Sequence, residues 1–119
     1  MAQDRPTASE LLLAIADLLR EEVTPVLDKA EPRLGFQMRV AANSRAILAR
    51  ETRLGPAADA RELARLKALL GRDGTLADLN RELARQLRAG ERDERDSALM
   101  AHLDATIADK IAIANPKWR

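Results

Sequence analysis

A carboxylate, a primary amide and an ammonium each interrupt an apolar helical stripe in this chain of 119 residues. Glu22 falls within Leu11, Ile15, Leu18, Leu19 and Val26. Asn43 falls within Phe36, Val40, Ile47 and Leu54. Lys110 falls within Leu99, Leu103, Ile107 and Ala114, with Thr106 one turn before it. Steps of three and four residues place each set on one helix face. A small domain cannot tolerate a buried charge without a partner, so three inward polar groups are expected to meet. A Glu22–Lys110 ion pair completed by Asn43, which both donates and accepts, meets most of the demand. Such a cluster has two uses. It fixes helix register, or it forms a groove in which this row, with Arg39 and Arg50 beside it, receives a ligand or another protein.

The parts for catalysis are otherwise missing. His102 is the single histidine, at the edge of the last apolar stripe, and there is no cysteine. That excludes disulfides, thiolate metal sites and a cysteine nucleophile. No Glu-x-x-His spacing suggests a carboxylate-bridged metal. GRDGT, residues 71–75, lacks the lysine and spacing of a phosphate-binding loop, and Ser9, Ser44 and Ser97 lie in no nucleophile elbow. The chain is therefore expected not to be an enzyme on its own, and to carry no metal or cofactor.

The elements that position these residues are all helical by expectation. Hydrophobic residues make up 46% of the chain but aromatic ones only 2%, so the core must come from Leu, Ile, Val and many Ala. That favours close-packed helices over sheets. The run TASE, with Thr7 as N-cap and Glu10 three residues on, is a capping box. Pro25 kinks or ends the helix that follows. Gly55-Pro56 reads as a stop followed by a start. Thr75 with Asp78 opens another helix, GERDERD (residues 90–96) reads as a solvated connection, and Asn115-Pro116 closes the last helix. The expected fold is an all-α, single-domain bundle of about five amphipathic helices, at about 7–28, 36–53, 57–70, 75–89 and 97–114, with polar tails. Leu63, Leu66 and Leu70 on the third helix, and Leu76, Leu79, Leu83 and Leu87 on the fourth, should face inward.

Charge is uneven although the net is +1. Residues 1–32 carry three basic and seven acidic side chains, residues 33–72 nine basic and three acidic, and residues 73–119 eight basic and nine acidic. A basic middle between acidic neighbours suits internal charge matching. Nucleic-acid binding ranks last among the readings, because it usually adds stacking aromatics or a clearly basic domain. Arg39, Arg45, Arg50 and Arg53 are the candidate face for an acidic partner surface or for phosphates. Trp118 joins them as a residue with no place in the helix pattern and a type favoured at interfaces. The start MAQDRPTASE is polar and the apolar segment after it is broken by charge, so no secretory leader is expected. No run approaches the roughly 18 apolar residues of a membrane span. The expected location is the cytoplasm, away from membranes.

Four segments carry a resemblance: RPTASELLLAIADLLREEVTPVL (5–27), FQMRVAANSRAILARETRLGP (36–56), LNRELARQLRAGE (79–91) and HLDATIADKIAIANPKW (102–118). Together they resemble a bacterial family of small all-α proteins of unassigned domain function. Its members are typically encoded beside aminoglycoside-phosphotransferase-like kinases and acyl-CoA-dehydrogenase-like proteins. The resemblance implies a non-catalytic accessory subunit of a kinase that phosphorylates hydroxyacyl-CoA in hydroxy-acid catabolism, with ATP, magnesium and the acyl-CoA held by the larger partner. It supplies no binding residues for this chain. The competing expectations are a stand-alone helical bundle that binds a small acid or acyl-CoA, and, third, a nucleic-acid-binding helical domain. Pairing of the chain with itself as a homodimer also stays open.

Overall fold

Thr7 opens the first helix as its sequence requires, its hydroxyl accepting from the Glu10 amide at 3.1 Å. In the computed structural model, which describes residues 5–117, every regular element is helical and no strand occurs among those residues. Helix α1 (Ala8–Leu18) runs through a π-helical stretch (Leu19–Val23) into α2 (Thr24–Ala30). Helix α3 spans Pro32–Leu70, α4 Leu76–Arg88 and α5 Ser97–Ala114. The all-α expectation holds, and α1 to α2 is one continuous rod as expected at about 7–28, but the rods among the described residues number four rather than five, because α3 joins the two helices expected at 36–53 and 57–70.

Gly55-Pro56 does not end α3. Pro56 sits inside the helix, and Gly55 is not among the glycines with positive φ. A proline removes one ladder bond and crowds the carbonyl four residues back, at a cost of about 3 kcal/mol. Strong helix formers on both sides (Ala, Leu, Arg, Lys) and burial on each side of the break offset it. The dipeptide marks a different boundary. Contacts gather the chain into two compact units, one containing the described residues up to Leu54 with Ile113–Asn115, the other Gly55–Ala112 with the described residues after Asn115.

Pro25 is accommodated by the π-helical stretch just before it, a local widening of the kind that absorbs ladder defects. The Leu19 carbonyl receives both the Thr24 amide, five residues on, and the Thr24 hydroxyl at 2.6 Å. The extra residue rotates everything after it relative to α1. Thr24 becomes the buried polar residue of the rod, while Glu22 is left exposed.

In the first unit, α1–α2 and the N-terminal part of α3 form an antiparallel hairpin. At one end the Ser9 hydroxyl donates to the Ala49 carbonyl at 3.1 Å. At the other, near the turn at Glu31, Asp28 lies against Gly35 so closely that a Cβ there would collide with its carboxylate and come within 3.1 Å of its amide. The Arg39 guanidinium holds the same carboxylate with two bonds of 2.7 Å. The buried seam of α3 is small: Gly35, Ala42, Ala46 and Ala49, facing a rod whose buried residues are Ala16 and Thr24. This seam lies about 120° round the helix from the row of Phe36, Val40, Ile47 and Leu54. Phe36 and Val40 are therefore exposed, at 61% and 51%.

The second unit packs by leucine. Leu66, Leu79, Leu83 and Leu99 are its buried centre, with Leu63, Leu69, Leu70, Leu76 and Leu103 packed round them. The inward faces expected for this part of α3 and for α4 are present, except that Leu87 is exposed. Thr75 caps α4 by accepting from the Asp78 amide at 3.1 Å. Gly90, with φ of +71°, ends α4 in a Schellman motif: its amide meets the Leu87 carbonyl and the Glu91 amide meets the Gln86 carbonyl. The segment after it is less solvated than its charge suggests. Arg92 donates to the Gln86 side chain at 2.9 Å and to the Leu69 carbonyl at 3.2 Å, and Asp96 caps α5 by accepting from the Leu99 amide.

The alanine seam and the exposed apolar row of α3 respond differently to substitution. Ala46→Leu should lower stability by about 1–3 kcal/mol through overpacking. Val40→Ala, at an exposed position, should stay within about 0.5 kcal/mol. Urea unfolding of the two variants checks the order, which would be reversed if Phe36 and Val40 faced the core.

Candidate functional site

The three polar residues expected to meet in the core do not form a buried cluster. Glu22, Asn43 and Lys110 are all exposed. The π-helical stretch turns Glu22 outward, the small seam leaves Asn43 about a quarter-turn outside, and Lys110 lies along the row of Leu99 and Thr106 but extends its ammonium to water. With none of the three buried, none needs a charged partner. Thr106 alone of that set is half-buried, and it belongs to a different group of residues.

That group centres on Arg65 in α3. Its Nε donates to His102 Nδ1 at 3.3 Å and its Nη2 to Thr106 Oγ1 at 3.2 Å. His102 and Thr106 are four residues apart on α5, so they present one row to one edge of the guanidinium. His102 is 4% exposed. Because Nδ1 accepts, the imidazole carries its proton on Nε2. Burial holds the His102 pKa below the usual imidazole range, the Arg65 charge pushes the same way, and Glu62 opposes both. No buried side-chain nitrogen or oxygen among the described residues lacks a partner, so Nε2, which has none, reaches the accessible surface.

Beside these residues lies a cavity of about 280 Å³, lined by Arg65, Ala68, Leu69, Ala98, Ala101 and His102. Three of the six are alanines, which leave the space that larger side chains would fill. Arg65 makes no ion pair with any carboxylate among the described residues, although Arg61 and Lys67 of α3 and Arg72 just after it pair with Asp109, Asp73 and Glu82. Among the described residues no group of three or more His, Asp or Glu could hold a metal ion.

The candidate arginine face contracts. Arg39 is committed to Asp28, and Arg50, half-buried, donates from Nε to the Ile113 carbonyl at 2.6 Å. That bond satisfies one of the carbonyls left open at the end of α5. Arg45 and Arg53 remain exposed, and Trp118 lies outside the described residues. Of the nine basic residues between 33 and 72, four pair with carboxylates, which supports internal charge matching there, and Arg50 and Arg65 bond to neutral acceptors.

Exposed apolar side chains concentrate instead in the first unit. Of twelve large hydrophobic residues that stand exposed among the described residues, nine belong to it: Leu11, Leu13, Ile15, Leu18, Val26, Leu34, Phe36, Val40 and Leu48. A two-helix hairpin that closes on alanine has no second layer to cover them.

A family profile described as a domain of unknown function, DUF6285, matches residues 28–118. The chain belongs to the DUF6285 family. Membership covers parts of both units, including Arg65, His102, Thr106 and the α3 seam. It supports the resemblance to a family of unassigned function and assigns no activity. No match is found among curated proteins or among solved structures. No helix among the described residues of this DUF6285 protein is long and apolar enough to cross a membrane.

Arg65 and His102 were not singled out by spacing, because their partnership joins positions 37 residues apart. The one usable signal was the Hxxx[ST] step, which aligns two acceptors on a helix face.

Two outcomes follow. As pH falls through the ordinary imidazole range near 6.5, the unfolded chain takes up a proton before the folded one does. Stability should therefore be intact above that range and decline below it. Urea unfolding at pH 7.5 and 5.5 should show the loss in the natural chain, and His102→Gln should reduce the difference. Arg50→Ala should cost about 1–2 kcal/mol by removing the bond to Ile113, whereas Arg53→Ala should stay within about 0.5 kcal/mol.

Proposed function

We propose that this chain is a non-catalytic accessory subunit, docked on a larger protein through the apolar surface of its first unit. The observation that carries the reading is the set of nine exposed large apolar side chains on α1, α2 and the first part of α3, headed by Val26 at 66% and Phe36 at 61%. Monomeric proteins rarely leave large contiguous apolar patches open, and such patches commonly mark protein interfaces. The partner that the resemblance implies is an aminoglycoside-phosphotransferase-like kinase acting on hydroxyacyl-CoA, which would itself hold the nucleotide, the metal and the substrate. The one histidine of this chain is tied to Arg65.

Co-expression with the neighbouring kinase, size-exclusion chromatography and ATP turnover with a hydroxyacyl-CoA test the reading. The two proteins should elute together and turnover should rise in the presence of this chain. Phe36→Glu combined with Val40→Glu should keep the helical circular dichroism and lose the complex, with affinity reduced at least tenfold. Separate elution with unchanged turnover overturns the proposal. Elution of the chain alone at twice its mass, abolished by the same double substitution, assigns the apolar surface to a second copy and overturns it as well.

A further inference from the structure

The cavity beside Arg65 lies wholly within the second unit and has no part in the apolar docking surface. We infer that it binds a small monocarboxylic acid, with the acid's carboxylate on the Arg65 guanidinium and its short apolar chain against Ala68, Leu69, Ala98 and Ala101.

The argument begins with the donors of Arg65. A guanidinium has five N–H groups in a fixed plane and no acceptor. His102 Nδ1 and Thr106 Oγ1 take Nε and Nη2, one edge of that plane. The hydrogens of Nη1 and the second hydrogen of Nη2 remain, and this is the fork that receives a carboxylate in two parallel bonds. Both partners of Arg65 are neutral, because His102 uses its Nδ1 lone pair as the acceptor. A half-buried cation at the cavity wall thus lacks a countercharge, whereas Arg61, Lys67 and Arg72 near it each have one. An anion supplied from outside would complete it.

The apolar part of the ligand follows from the walls. Apart from Arg65 and His102, the lining is three alanines and one leucine, with no further charge to receive a second anionic group. The volume of about 280 Å³ sits just below the roughly 300–1,000 Å³ typical of pockets for drug-sized molecules. It suits an acid of a few carbons rather than a nucleotide. His102, with Nε2–H at the accessible surface, adds a neutral donor at the charged end. The orientation is then fixed, with the polar end at Arg65 and His102 and the chain along the alanines of α3 and α5.

The single histidine makes the test direct, because its imidazole proton resonances report from the pocket without overlap. Titration of the full chain with hexanoate should shift the His102 signals and the amides of residues 65–69 and 98–102 in a saturable way. Hexanol, of the same length and uncharged, should not saturate them over the same range. Arg65→Gln should weaken hexanoate binding at least tenfold. Ala101→Leu should do the same by filling the cavity while leaving the guanidinium in place. Retention of dispersed amide spectra in both variants confirms that they fold. Absence of a saturable shift, equal saturation by hexanol, or unchanged affinity in both folded variants overturns the inference. The outcome is independent of the kinase complex: the pocket can bind the acid when no complex forms, and the complex can form when the pocket stays empty.

Discussion

The close approach of α1–α2 to the first part of α3 sets the terms for the rest of the first unit. Gly35, Ala42, Ala46 and Ala49 bring no side-chain bulk to the seam, and the Asp28 carboxylate occupies the space a Cβ at position 35 would need. Helices that meet on such small residues gain contact between backbones, but they have no volume between them for leucine or phenylalanine. The larger apolar residues must then point elsewhere. Their exposure follows from the seam, and with it the surface that a partner can cover.

The second unit solves the same problem differently. Its leucines meet in a core of Leu66, Leu79, Leu83 and Leu99, and three helices suffice to enclose them. Polar side chains there are tied to backbone ends and to each other: Arg92 reaches the last turn of α3, Asp96 caps α5, and Arg85 holds Glu82 and Glu91. The Glu82 carboxyl is kept low, to about 2, first by its bonds from Arg85 and Gln86. These ties are largely exposed and contribute modestly to stability, but they fix the loop between α4 and α5. Among them Arg65, like Arg92, is satisfied by neutral acceptors, and Arg65 is the one of the two that lines the cavity.

Much of this was legible along the chain. Capping boxes are local, so Thr7 and Thr75 could be read as helix starts from four residues each, and both caps form. Helical composition and the leucine rows of residues 63–83 were equally plain. The phase of the first helix was not. A run of three leucines at 11–13 and a pair at 18–19 allows two apolar faces, and a π-helical stretch that inserts one residue into the register cannot be seen in spacing. Glu22 was therefore placed inside by a pattern that ended four residues earlier.

The sequence by itself determined that the chain is helical, where most helices begin, and that its basic middle has acidic neighbours to meet. Each of these rests on local bonding or on composition, which do not depend on distant residues. Tertiary structure alone decided which face of each helix is buried, that α3 continues through Pro56, and that Arg65 meets His102 and Thr106. Those outcomes depend on volume and on donors brought together from remote positions. An alanine seam prevailed over a row of larger apolar residues because the buried residues of the facing rod, Ala16 and Thr24, are themselves small.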